Sequence, residues 1–293
     1  DGNIYFRTDK GFGMINHKTG DNFYFPKSNI PQNQLTLSFD GTVFYGDSYF
    51  SFPDLIPVLP EHQNFKAVTI SDSDGSTLTV YEDGYLAYMN YKKEIVWSKQ
   101  INNHKFSSFP VISSHKSALL PCVKTDVNMT YAFEIYLPGE TYFDSIQFYT
   151  DTVTVRSPGV SIEKDNRRFT AARGVLKVYE VNKKLIYYTT PFLTPDPDTR
   201  NIPPVIAEDG FVYLVNGNNV IAYRHTDKKK WIFKVNGDGR PETLIHKDDR
   251  LYVFSSSGGL HILKAPGNSA GPWPQAFHDF NLTGSLFEIE HLD

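Results

Sequence analysis

Several residue groups in the chain have the types and spacing of reactive or ion-binding sites. Residues 267–271 (GNSAG) spell the Gly-x-Ser-x-Gly pattern of a nucleophile elbow. That elbow needs a strand before the serine and a helix directly after it, so that the hydroxyl stands on a strained turn. A strand-like run, LHILK, does precede it, but Ala265 and Pro266 intervene and Pro272 and Pro274 follow. Ser269 therefore reads as part of a connector. Nine histidines are present (His17, His62, His104, His115, His225, His246, His261, His278 and His291), and none forms a metal-binding pair by local spacing. Two oxygen-rich loops, Asp72 to Thr77 and Asn236 to Glu242, offer the ligand type calcium prefers. Neither has the full spacing of a calcium loop, and Asp, Asn and Gly are also the usual turn formers. The local acid pairs Asp196 and Asp198, Asp248 and Asp249, and Glu288 and Glu290 cannot be assigned to glycosidic cleavage. Such carboxylates come from separate strands facing one cleft. Gly11 and Gly13 lack the third glycine and following helix of a phosphate loop. Asn128 and Asn281 sit in glycosylation sequons, which matter only in a secreting eukaryote. No cofactor or metal is expected on these grounds, and calcium is the ion to test first.

Composition narrows the field. Of 293 residues, 40% are apolar and 43 are aromatic, which is too rich for a disordered chain and enough for a large core. A net charge of −4 argues against a nucleic-acid-binding face. Cys122 is the single cysteine, so neither an intrachain disulfide nor a cysteine metal cluster can form. No apolar run approaches a membrane span. The chain opens at Asp1 without Met or a signal-peptide pattern. It is read as trimmed from a longer precursor, and a lipid anchor upstream of Asp1 is compatible with it.

The elements that would carry any site are repeats. An acidic residue followed by Gly, Asn or Asp and an aromatic-rich run returns as DGNIYF (from Asp1), DGTVFYG (from Asp40), DGSTLTV (from Asp74), DNRRFTA (from Asp165), DGFVYLV (from Asp209) and DDRLYVF (from Asp248). A degenerate copy lies at Ser114, His115 and SALLPCV. The seven anchors are spaced 34 to 51 residues apart. A second phrase follows the anchors: a strand, a polar turn and an aromatic strand. It is seen at 11–25, 83–97, 173–188 and 217–233. Ile15, Tyr88, Tyr179 and Tyr223 are each followed eight or nine residues later by an aromatic: Phe23, Trp97, Tyr187 and Trp231. This is hairpin patterning, two hairpins to a repeat. No segment reads as a useful helix. Four-stranded units repeated seven times predict an all-β chain, a single β-propeller of seven four-stranded blades over residues 1–293. Segment 266–293 would pack on the ring or close it. Trp97, Trp231 and Trp273 are expected to be structural, filling the wedge between blades.

The repeats resemble the pyrroloquinoline-quinone repeat of the quinoprotein alcohol-dehydrogenase-like propellers. PPVIAEDGFVYLV and NNVIAYRHTDKKKWIF (203–233) carry the likeness most fully. VYEDGYLAYMNYKKEIVW (80–97) matches the second half of the repeat, and GPWPQAFHDFNLTG (271–284) is similar to a segment flanking such propellers. Some members of that family are dehydrogenases holding the quinone and calcium. Others are binding scaffolds without cofactor, such as the lipoprotein of the bacterial outer-membrane barrel-assembly machinery. The dehydrogenases carry a vicinal cysteine pair, and Cys122 has no cysteine neighbour. The resemblance therefore implies a non-enzymatic, monomeric, extracytoplasmic scaffold (periplasmic, outer-membrane-associated or secreted) that binds a protein partner. The alternative is a propeller enzyme, quinone-dependent or glycan-active.

One segment departs from the blade pattern. Residues 49–60 (YFSFPDLIPVLP) are strongly apolar and hold three prolines, which disfavours a ladder strand. It is expected to be an exposed loop, with Phe50, Phe52, Leu55 and Ile56 meeting the partner. The rival reading folds it back over the core. The 190–204 stretch is expected to be a proline-rich connector.

Overall fold

The computed structural model describes residues 4–8, 11–16, 18–26, 35–38, 42–51, 54–62, 66–106, 110–112, 117–126, 129–137, 143–150, 159–163, 165, 167–172, 175–180, 185–189, 193, 202–235 and 239–267. Two compact units are built on residues 1–102 and 103–282, and each is described by itself. The tail beyond Gly267, with Ser269, Trp273 and the proposed ring-closing role, lies outside the described residues.

The first unit holds three antiparallel sheets. Sheet I is β1 (Ile4–Thr8), β2 (Gly11–Ile15) and β3 (Asn22–Pro26). Sheet II is β4 (Leu35–Leu37), β5 (Val43–Tyr45), β6 (Ser48–Ser51) and β7 (Asp54–Pro57). A 3-10 turn at Pro60–His62 leads to sheet III, made of β8 (Ala67–Ser71), β9 (Thr77–Tyr81), β10 (Tyr85–Met89) and β11 (Ile95–Gln100). The second unit holds four more. Sheet IV is β12 (His104–Phe106), β13 (Val111–Ile112), β14 (Ser117–Lys124), β15 (Met129–Tyr136) and β16 (Phe143–Thr150). Sheet V is β17 (Gly159–Ile162), β18 (Arg168–Ala172), β19 (Val175–Tyr179) and β20 (Leu185–Tyr188). Sheet VI is β21 (Val205–Ile206), β22 (Phe211–Asn216), β23 (Asn219–Arg224) and β24 (Lys230–Lys234). Sheet VII is β25 (Pro241–Lys247), β26 (Arg250–Ser255) and β27 (Leu260–Lys264).

Two of the acidic anchors, Asp74 and Asp209, and Asp83 of the hairpin phrase sit in tight turns. At Asp74, Asp83 and Asp209 the carboxylate accepts the amide two residues on, from Ser76, Tyr85 and Phe211, at 2.9–3.1 Å. The glycine after each adopts positive φ, 83° at Gly75, 96° at Gly84 and 83° at Gly210. The side chain holds the turn and the glycine supplies a conformation that Cβ opposes.

The hairpin phrase sets the register. Met14 pairs with Phe23, Tyr88 with Trp97, Val178 with Tyr187 and Ala222 with Trp231. The spacing is nine in every case. Ile15, Tyr179 and Tyr223 each stand one residue beyond the partner of their aromatic, whereas Tyr88 is itself the partner of Trp97. A one-residue offset matters, because it moves a side chain to the other face.

Sheet VI buries both of its faces by stacking. In sheet VI, Tyr213, Val215, Val220 and Ala222 pack against Leu244, Leu251 and Val253 of sheet VII. The alternate residues Val212, Leu214 and Ile221 pack against Phe169, Leu176 and Val178 of sheet V. This is why β22 reads as a continuous apolar run (FVYLV) and not an alternation. In the first unit, Phe44, Val58 and Leu59 meet Ala67, Tyr81, Ala87 and Met89 across sheets II and III.

Sheet IV departs from the four-strand unit, and Pro121 shows how. It lies inside β14, where a missing donor should break the ladder. Along one edge β13 pairs only with residues Ala118 and Leu119, and β12 only with Cys122 to Lys124. The edge is split into two short strands at the proline, so no partner requires its missing N–H.

Candidate functional site

The segment expected to be a loop is a hairpin. Ser48 pairs with Pro57, Tyr49 with Ile56, Phe50 with Leu55 and Ser51 with Asp54. This corrects the reading of 49–60 as off the ladder. Pro57 ends β7 and Pro60 opens the 3-10 turn. Both sit at the end of an element, where a missing donor costs little. The Phe50 ring is half-buried, 5.9 Å from Phe12 of sheet I. The Tyr49 ring lies 6.1 Å from Phe44 and packs on the sheet II–III core. Ile56, across from Tyr49 on the outer strand, is 38% exposed. Leu55 occupies the position opposite Phe50. Phe52 lies outside the described residues. The four expected contact residues thus share one hairpin only in part, with Phe50 turned inward and Ile56 open.

The tryptophans differ. Trp97 is buried and stacks on Tyr88 at 5.6 Å. Trp231 is half-buried, 5.9 Å from the Tyr213 ring, and packs on the sheet VI–VII core. Trp273 is not among the described residues.

The buried polar groups of the first unit form a seam between inner strands. The Thr36 hydroxyl donates to the Thr69 carbonyl at 2.6 Å, Thr69 and Thr79 share a hydrogen bond of 2.7 Å, and Ser38 and Ser71 share one of 3.1 Å. These hydroxyls answer one another, so the seam joins β4 to β8 to β9. Asp72, in one of the oxygen-rich loops, is buried and accepts the Ser73 amide at 2.7 Å. That loop is a turn. Of the second loop, residues 236–238 are outside the description.

His62 stacks on Tyr85 at 4.1 Å, with Nδ1 3.4 Å from Asp83. Beneath it, burial pushes the Tyr81 phenol strongly up, and nearby Asp47 adds to this. Cys122 is buried in sheet IV and burial likewise raises its thiol, which suits a packed side chain and not a group beside a quinone. Among the described residues no group of three His, Cys, Asp or Glu side chains could hold a metal. Among the described residues no helix is long and apolar enough to cross a membrane.

What the surface does offer is apolar and lies at the edges. Among the described residues twelve large apolar side chains are exposed, and nine of them stand on the last strand of a sheet. Examples are Tyr24 on β3, Ile56 on β7, Ile95 and Val96 on β11, Ile232 on β24, and Leu260 and Ile262 on β27. Val96 is the extra residue of a β-bulge opposite Tyr88 and Met89. Sequence patterning missed this set. A strand that alternates correctly for its inner face gives no sign of how much of the outer face a neighbour covers.

Stacked four-stranded antiparallel sheets of this kind define a β-propeller. No protein-family model matches the chain, and no curated protein matches it by sequence. Solved structures are similar in fold. BamB from Moraxella catarrhalis superposes with a TM-score of 0.59 at 12% identity, over 92% of this chain and 89% of that one. The dihydro-heme d1 dehydrogenase NirN in complex with DHE gives 0.65 at 13% identity, over 96% and 66%. BBS1N in complex with ARL6DN gives 0.59 at 11% identity, over 89% and 86%. These are propeller proteins, and at such identities the likeness shows the fold.

Proposed function

We propose that the chain is a non-enzymatic scaffold of the pyrroloquinoline-quinone-like propeller type, one blade to each of its seven sheets. It acts as a monomer outside the cytoplasm and binds a protein partner through the outer strands of its blades. The observation that carries this reading is the concentration of exposed apolar side chains on last strands, Ile56 among them. Strand edges with bare apolar residues invite another chain. The repeat resemblance supports the family and the compartment. The similarity to BamB, and to BBS1N crystallised with a protein partner, agrees with a protein-binding role.

The test is affinity capture from the envelope extract of the source organism, with the wild-type chain and Ile56→Asp as paired baits. Ile56 is open enough for the substitution to leave the fold intact. A protein retained by wild type and lost with Ile56→Asp is the expected result. Identical capture by both baits removes the β6–β7 hairpin from the reading. Turnover of an alcohol by the chain supplied with calcium and quinone overturns the scaffold assignment itself.

A further inference from the structure

Residues 224–234 (RHTDKKKWIFK), which end β23 and form its turn and β24, hold five cations and one acid in a chain whose net charge is −4. Every residue from His225 to Lys230 is exposed. The one acid is already engaged. Asp227 accepts Arg224 Nε at 3.0 Å and Nη2 at 2.7 Å, and Lys229 Nζ lies 3.4 Å from its carboxylate. Arg224 is held further by the Phe211 ring, 4.6 Å from its guanidinium carbon, and Asp209 also attracts it. Lys230 has a contact of its own. Lys228 and Lys234 remain, and among the described residues no carboxylate pairs with either.

The strand that carries them alternates. Trp231 and Phe233 pack on the sheet VI–VII core. Lys230, Ile232 and Lys234 take the other face, where Ile232 ends the cross-strand row Leu214, Ile221, Ile232. Leu214 and Ile221 are buried against sheet V, whereas Ile232 is 41% exposed. Ile232 and Lys234 are two positions apart, roughly 7 Å along the strand. Lys228 stands at the hairpin tip with a φ of 57°. Glycine or asparagine is the usual occupant of such a position, because Cβ opposes it. Turn geometry therefore does not account for a lysine there.

We propose that Lys228, Ile232 and Lys234 together bind an extended, acidic segment of a partner protein. This rests on the scaffold reading and names the chemistry of its partner. The three side chains lie in a line along one hairpin, with the apolar one between the two cations. A line of contacts with a strand's spacing fits an extended chain, whose alternate side chains advance by the same step. An apolar residue of that chain covers Ile232. An acid two positions away meets Lys234, and a second acid beyond the apolar residue meets Lys228. The charges give selection against neutral and basic segments, and the covered isoleucine adds affinity for any of them.

The experiment is fluorescence anisotropy on the full chain. The labelled probe is Glu-Thr-Ile-Thr-Thr-Thr-Glu, and its twin carries glutamines for the glutamates. The acidic probe is expected to bind at least about tenfold more tightly in low salt, a ratio worth about 1.4 kcal/mol. Lys228→Gly with Lys234→Gln should remove that preference. Glycine suits the positive φ at the tip, so the denaturant midpoint of this double variant should hold. Ile232→Ser should weaken both probes alike. Equal affinity of the wild type for the two probes, or a preference that survives in the double variant, overturns the proposal. If neither probe binds while the Ile56-dependent capture succeeds, this inference fails and the scaffold reading stands. Sedimentation with phosphatidylglycerol vesicles that the double variant loses, without probe binding, overturns it in favour of a lipid surface.

Discussion

Glu134 and Arg168 are a buried ion pair joining β15 to β18. Each has a second partner: the Ser117 hydroxyl donates to Glu134 Oε1 at 3.0 Å, and Arg168 Nη1 donates to the Glu180 carbonyl at 3.0 Å. Such a pair is a weak source of net stability, because desolvating both charges offsets their attraction, yet breaking it strands a charge. Glu134→Leu alone should therefore cost about 3–5 kcal/mol in denaturant unfolding. Glu134→Leu with Arg168→Met should regain most of that. A single variant within about 1 kcal/mol of wild type would show that Arg168 reaches water or another acid. Neither residue stood out in the sequence. Their separation of 34 positions has no local signature, and only the stacking of sheets IV and V makes them neighbours.

At the scale of elements, hairpins were legible and proline-bearing strands were not. The phrase strand, polar turn, aromatic strand is a local signal, because turn and register are set within a dozen residues. It located β2–β3, β10–β11, β19–β20 and β23–β24, but a spacing of eight or nine did not by itself name the paired residue, which stands nine before the aromatic in all four. Residues 49–60 failed because the proline rule counts missing donors without knowing which side needs them. Pro57 at a strand end and Pro121 at a split edge both leave the ladder whole. The two described tryptophans give a quantitative check on the wedge idea. Trp97→Ala removes a buried ring and should cost about 3–5 kcal/mol. Trp231→Ala should cost less, since its ring is half-exposed to solvent. Far-UV circular dichroism should stay strand-like in both. Equal denaturant midpoints for Trp97→Ala and wild type would mean that the stacked Tyr88–Trp97 pair is not part of the core.

For the molecule as a whole, repetition made the fold readable, since seven copies of one pattern average out the degenerate ones. Function is written on outer faces, where the same alternation serves solvent or partner, and no spacing distinguishes them. Burial, in contrast, has a consequence that can be read in solution. Tyr81 lies in the first unit, and Tyr179 and Tyr213 lie in the second. Desolvation raises all three phenols, Tyr179 to about 12. The folded state thus holds protons that the unfolded chain releases near the ordinary value of 10.0. Stability rises with pH only where the unfolded state binds more protons, so here the sign is reversed. The contribution is complete below about pH 10 and is lost as pH climbs through about 12. Denaturant midpoints should accordingly fall steeply across that window, with a late, cooperative step in near-ultraviolet phenolate absorbance coinciding with loss of the β signal. Replacing Tyr179 by Phe should flatten the fall, because Phe has no proton to lose. A phenolate titration completed near pH 10 with the β signal intact would contradict the burial of these rings, and with it the packing of sheets II on III and VI on VII.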